Sequence, residues 1–219
     1  MPFPKGTQSL ESDDPHTGII QRSRIGSKYA LTWVDIMKVG EPATILVPLG
    51  AVPADLLDGL ATPLGAAFGL LCRVADPIPI PSTAYDRRRR QYVGHAILIT
   101  LARLNLPDAG HVLGIIDADC YAPGLNFIFG EASLHARDAF IALPRLRSSF
   151  YGLAEDVPLF QERVSKEAVH ELGHTYGLTH CPNPKCVMHF SNSLHDTDVK
   201  GSTFCPRCQA RLARLRAGS

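Results

Sequence analysis

The sequence has no excess of charge of either sign: 22 Lys and Arg stand against 21 Asp and Glu, for a formal charge of +1. That balance removes the global electrostatic reason to expect nucleic acid or an anionic membrane as the main partner. No apolar run approaches the ~20 residues needed to span a bilayer. The N-terminus lacks the basic, apolar, then small-residue order of a secretory signal. Internal repeats and low-complexity tracts are absent. So is the cysteine spacing of a disulfide framework: Cys72 and Cys120 are scattered, while Cys181, Cys186, Cys205 and Cys208 crowd together near the end. Thiols left free for a metal suit a reducing compartment, so the cytoplasm is the expected location. Cys72 and Cys120 read as buried, inert thiols.

What is present is an ordinary globular composition, 45% hydrophobic and 20% charged over 219 residues, enough for one domain with an appendage. Residues 1–41 are polar and rich in Pro, Gly and Ser, and read as a flexible leader. Met37 within them is an alternative start of translation. Residues 42–219 read as a single domain. Apolar, β-branched runs predict strands over 43–49, 71–74, 111–116, 126–129 and 139–143. Helical spacing predicts helices over 53–70, with Pro63 as a break, over 85–104 and over 160–176. Early alternation of strands and helices followed by short strands predicts a mixed α/β fold, a mixed sheet with flanking helices. The run from Arg87 to Arg90 reads as a solvated helix face.

The chemistry is written from His170 onward. His170-Glu171-Leu172-Gly173-His174 places two imidazoles at i and i+4 on one helix face, where both reach one ion. Glu171 lies one position round, where its carboxylate reaches a water on that ion without ligating it. Gly177, free to take positive φ, ends the helix and turns the chain so that His180 returns as a third ligand. Three imidazoles leave the fourth zinc position open, the arrangement of a catalytic site. Cys181, Cys186, Cys205 and Cys208 offer four thiolates, enough to close a second, structural zinc site. Lys185, Lys200, Arg207 and Arg211 are placed to offset its negative charge. His180 and Cys181 are adjacent but point oppositely in an extended segment, so they serve different metals. His189 and His195 are not needed as ligands.

Together these residues, His170-Glu171-x-x-His174-x-x-Gly177-x-x-His180-Cys181, Cys186-x-Met188 and Cys205-x-x-Cys208, resemble the archaemetzincins. The stretch from Asp117 to Gly130 resembles part of that family's core. The gap between Met188 and Cys205 is slightly shorter than is usual there. The resemblance covers roughly residues 43–212. It implies a metzincin-like catalytic domain with a C-terminal four-cysteine zinc subdomain over residues 181–219. It further implies a methionine turn at Met188 beneath the catalytic zinc, a Glu171 general base and peptide hydrolysis. An edge strand above the active-site helix is expected to pair with substrate, with 126–130 as the candidate.

The expected protein is therefore a zinc metallopeptidase with two zinc ions, one catalytic and one structural. It acts on a peptide or protein substrate as a monomer, with no nucleic-acid or membrane partner. The alternative is a catalytically weak interaction module that works through its four-cysteine site.

Overall fold

Strand β1 (Ala43–Leu49) is the first apolar run of the sequence, and all seven of its residues are buried. Successive side chains leave a strand on opposite sides, so Ile45, Val47 and Leu49 pack on one face and Leu46 on the other. A strand that is apolar on both sides belongs inside a sheet covered twice. The computed structural model describes residues 42–106, 109–134 and 136–217 and has that architecture. The expected leader over residues 1–41, with Met37, lies outside the described residues.

The main sheet has the order β2 (Cys72–Val74), β1, β5 (Ala109–Ile116), β8 (Asp138–Ala142), β7 (Gly130–Ala132). Its neighbours are parallel except β7, which runs antiparallel to β8 and forms one edge. Helices α1 (Ala54–Phe68) and α3 (Val157–Thr175) share a core with Leu46, Leu113, Ile115 and Ile141. Helix α2 (Gly94–Ala102) packs on the other face through Ile97, Leu98 and Leu101, against Val47, Val112 and Phe140. A small second sheet joins β3 (Tyr85–Asp86), β4 (Gln91–Val93) and β6 (Cys120–Tyr121). The short helix α4 (Leu194–Val199) and the C-terminal helix α5 (Pro206–Ala217) complete the strands and α-helices among the described residues. The mixed α/β class expected from the sequence is the one observed.

Three local expectations change. The helix expected over 85–104 is a β3–β4 hairpin followed by the shorter α2. Asp86 diverts the chain, because its Oδ1 accepts the amides of Arg88 at 2.8 Å and Arg89 at 3.2 Å, a side-chain turn that competes with helix. The run from Arg87 to Arg90 is therefore an exposed hairpin tip and not a helix face. Pro63 does not break α1; the carbonyl it deprives, four residues back, belongs to Gly59, which is exposed and so open to solvent. The fourth strand is shifted: the edge strand is β7, while the segment expected as strand, 126–129, makes only a bridge from Ile128 to Cys120. Side chains hold that segment irregular, since Arg89 donates to the carbonyls of Leu125 and Asn126, and Gln91 also donates to that of Asn126.

Helix α3 begins at an Asp156 cap, whose Oδ1 accepts the Leu159 amide at 2.9 Å. Near its other end it meets the sheet through a polar contact. The Thr175 hydroxyl donates to the Leu172 carbonyl at 2.7 Å, so it accepts from Nδ1–H of His111 at 2.8 Å. The His111 ring also stacks on Tyr176 with centroids 3.9 Å apart. Burial, aided by Arg216 and Arg137, pushes the His111 pKa down to about 4. The unfolded chain then binds the extra proton between pH 6.5 and 4, so this contribution is complete above about pH 6.5 and is lost as pH falls toward 4. Melting temperature measured at pH 7 and pH 5 checks this. His111→Gln is expected to lose less on acidification than the unaltered protein, by about 3 °C; equal losses would remove His111 as the cause.

Candidate metal centre

Helix α3 ends in a turn that sets the course of the chain beyond it. Gly177 has φ +88°, a left-handed conformation that a side chain would strain. The Gly177 amide bonds the His174 carbonyl at 2.8 Å and the Leu178 amide bonds the Gly173 carbonyl at 3.1 Å, the paired closure of a Schellman motif. The Leu178 carbonyl is thereby returned to the helix, where it accepts Nδ1–H of His174 at 2.7 Å. Likewise, the Val187 carbonyl accepts Nδ1–H of His170 at 2.8 Å.

These two bonds decide the tautomers. With both Nδ1 atoms donating to carbonyls, both Nε2 atoms carry bare lone pairs. They face each other at 3.1 Å. Burial is the first cause of depressed pKa values at all three histidines: His170 lies well below the usual range, His174 at about 4, and His180 below its ordinary value. The buried Lys200 ammonium adds to each. Neutral imidazole is the metal-ligating form. His180 completes the group, with its ring 4.8 Å from that of His174 and 5.3 Å from that of His170. One nitrogen from each of the three lies within 4.8 Å of the others. Two acceptors at hydrogen-bond distance with no proton between them repel, and a shared cation resolves the conflict. The donor set fits zinc.

Glu171 is buried beside this group at a cleft of about 620 Å³ that it lines with the three histidines. Burial raises its pKa well above the ordinary carboxylate range; Glu167 and Glu131 push the same way and Lys200 opposes them. Gly130 makes room for it: a Cβ there would come within 2.6 Å of Glu171 Cγ and of the Phe140 carbonyl oxygen. The cleft wall from Gly124 to Ala132 ends in β7, which among the described residues has no strand partner on its outer side.

Met188 lies beneath the helix. A Cβ on Gly173 would stand 2.5 Å from its Sδ, so the methionine touches α3 between His170 and His174. The second cluster follows at once. The Sγ atoms of Cys181, Cys186, Cys205 and Cys208 lie within 4.8 Å of one another, and those of Cys181 and Cys205 are 3.8 Å apart. Corners of a tetrahedron around an ion with ~2.3 Å zinc–sulfur bonds stand ~3.8 Å apart. This set fits zinc as well. The Cys208 amide at the start of α5 is the main cause that pulls the Cys205 thiol down to about 7, a step toward the thiolate that ligates metal.

All eight residues singled out in the sequence, Glu171 and the seven histidines and cysteines, thus gather into two adjacent groups. Sequence reasoning missed their supports. His189, expected only as a surface or supporting residue and not a ligand, donates its Nδ1–H to the Cys181 carbonyl at 3.0 Å, while the Cys181 amide bonds the Met188 carbonyl at 2.8 Å. Gly130, the carbonyls of Val187 and Leu178, and Phe190, whose ring centroid lies 4.9 Å from that of His180, carried no spacing signal. Lys200, read as a charge offset for the thiolates, instead pairs with Glu167 at 2.9 Å in full burial.

Among the described residues no helix is long and apolar enough to cross a membrane. The family model described as peptidase family M54 matches residues 68–214. An archaemetzincin from Pyrococcus abyssi is 44% identical over 176 residues, which cover 78% of this chain and 94% of that protein. One from Methanocaldococcus jannaschii is 42% identical over 165 residues, 75% and 89% of the two chains. The crystal structure of the Methanopyrus kandleri archaemetzincin superposes with a TM-score of 0.73 at 37% identity, covering 81% of this chain and 97% of that one. That of the Archaeoglobus fulgidus archaemetzincin, complexed with malonate, superposes with a TM-score of 0.67 at 38% identity, covering 77% and 99%. A site of this composition at the end of α3, on a fold shared along nearly the whole of those chains, leads to one conclusion: the chain belongs to peptidase family M54, the archaemetzincins, and is a zinc metallopeptidase.

Proposed function

We propose that His170, His174 and His180 hold a catalytic zinc through their free nitrogens, that Glu171 is the general base, and that the reaction is hydrolysis of a peptide bond in the cleft. The observation that carries this is the pair of bare Nε2 atoms at 3.1 Å, with the buried Glu171 carboxylate next in sequence to one of their rings. Zinc bound there supplies Lewis acidity, polarising the scissile carbonyl and making water acidic near neutral pH. A dication on the imidazoles also counters the burial that raises the Glu171 pKa. The Glu171 carboxylate oxygen takes a proton from the attacking water and delivers it to the departing amine nitrogen. The outer edge of β7, unpaired among the described residues, offers its backbone groups to an extended peptide; this moves the proposed substrate edge from 126–130 to Gly130–Ala132.

Cys181, Cys186, Cys205 and Cys208 hold a second, structural zinc in this reading, giving two per chain. Free thiols at all six cysteines suit a reducing cytoplasm. We take the working form to be a monomer without a nucleic-acid partner.

Metal content by mass spectrometry and a peptide-library digest test the reading together. Glu171→Gln is expected to lower kcat about a thousandfold while both zincs stay bound. Turnover within tenfold of the unaltered enzyme would exclude Glu171 as the base. Two bound zincs in the unaltered protein with no cleavage of any peptide would favour the interaction-module alternative.

A second test concerns coupling. Cys205→Ser with Cys208→Ser is expected to empty the structural site and free the Cys181 peptide, whose neighbour is His180. Displacement of about 1 Å at a catalytic centre costs on the order of a hundredfold in rate, so a loss at least that large is expected although no catalytic group has changed. Full activity with a single bound zinc would show the two sites to be independent.

A further inference from the structure

The turn joining β3 to β4 carries four consecutive arginines, Arg87 to Arg90, all exposed. Their roles divide. Arg89 turns back onto the cleft wall, where Nη2 donates to the carbonyls of Leu125 at 3.1 Å and Asn126 at 2.9 Å, and its guanidinium lies 4.0 Å over the Tyr121 ring. Leu125 and Asn126 line the cleft. The hairpin tip is therefore bolted to the cleft rim, and the other three arginines are presented from a fixed base. Asp86 closes the turn from within through the Arg88 and Arg89 amides, and Arg90 takes φ 58°.

The charge of those three is not neutralised locally. Among the described residues, the side chains of Arg87, Arg88 and Arg90 have no hydrogen bond, ion pair or ring partner. Two acidic groups of this small sheet and its flank, Asp86 and Asp119, are already engaged. Asp86 also accepts the Tyr121 hydroxyl at 2.9 Å, and Asp119 is held by both arms of Arg145 and by Gln91. Three like charges kept together on a pinned turn, in a chain with a net charge of only +1, make a local field and not a general one. Residues 126–129 line the cleft and lead directly into β7, so a peptide added to the outer edge of that strand would extend along them toward the rim that Arg89 holds.

We propose that Arg87, Arg88 and Arg90 form a subsite for acidic residues of the peptide substrate, a few positions from the scissile bond. The proposal rests on the reading of the cleft as the peptide site. Carboxylates there meet guanidinium groups at the rim, where pairing is partly solvated and each contact is modest, so the effect is selectivity among peptides.

Fluorescence anisotropy of dye-labelled peptides tests this on the full, zinc-loaded chain, with Glu171→Gln in the background to stop turnover. The peptides share one core and carry three Glu on its amino side, three Glu on its carboxyl side, or three Gln. One of the two Glu peptides is expected to bind about tenfold tighter than the Gln peptide at low salt. The ratio should fall to about one in R87Q/R88Q/R90Q, which keeps Arg89, and should shrink at high salt. Equal affinities, or a preference that survives the triple substitution, would overturn the proposal. So would tighter binding of an oligonucleotide of equal charge, which would assign the patch to nucleic acid. Acid-selective binding without cleavage by the unaltered enzyme would support the subsite and fail the peptidase reading; cleavage without acid preference would do the reverse.

Discussion

The hydrogen bonds from Nδ1 of His170 and His174 to the carbonyls of Val187 and Leu178 set the chemistry of this molecule. A neutral imidazole has one donor and one acceptor, and which nitrogen is which depends on what the other one meets. Each carbonyl has its own source. That of Leu178 is brought back by the left-handed Gly177. That of Val187 is carried on the cysteine-bearing segment, where the Val187 amide bonds the Thr203 carbonyl at 3.0 Å. The helix end and the C-terminal lobe must therefore both be in place before two lone pairs can face one cation.

The same segment links the clusters mechanically. Its peptide at Cys181 is gripped from both sides, by the Met188 carbonyl and by His189 Nδ1, while the side chain joins the thiols. His180 precedes it and Met188 presses on Gly173 inside the helix. A zinc held by the four thiolates would close this loop covalently from below. An otherwise irregular stretch, with few apolar residues to bury, then becomes a rigid support for the third histidine.

How much of this was legible in sequence depends on the kind of signal. Spacings within one helix turn or one knuckle were readable, because i to i+4 geometry and glycine's access to positive φ are local: His170, His174, Gly177, His180 and the cysteines all fell where their intervals placed them. The core strands β1, β5 and β8 were readable from apolar runs. The hairpin at Tyr85 to Val93 was not, since its helix-like apolar spacing was overruled by one aspartate bonding two amides and by strand pairing with β6, a contact distant in sequence. The edge strand was displaced for a related reason, as Arg89 and Gln91 claim carbonyls that a strand would have used. Gly130 and His189 act through close approach and a carbonyl contact, neither of which has a sequence period.

Helix α3 shows why positioning matters more than burial energy at this site. On one side Val164, Ala168, Val169 and Leu172 join the apolar core. On the other the helix buries charge. Arg163 meets Asp198 through both arms at 2.6 and 2.8 Å and also donates to the Leu146 carbonyl; Lys166 donates to the carbonyls of Thr197 and Asp198; Glu167 takes Lys200 and the Thr197 hydroxyl. Desolvating such groups costs several kcal/mol per ion, so apolar residues of equal volume would hold α3 to α4 at least as firmly. Apolar contacts, however, tolerate sliding and rotation, and a rotation by one residue, ~100°, would carry both histidines out of the cleft. Bidentate and charge-assisted bonds do not tolerate it, because a misaligned buried ion is left unpaired at a cost of about 3–5 kcal/mol. The polar face thus fixes the rotational setting of the helix, and with it the direction in which His170, Glu171 and His174 point.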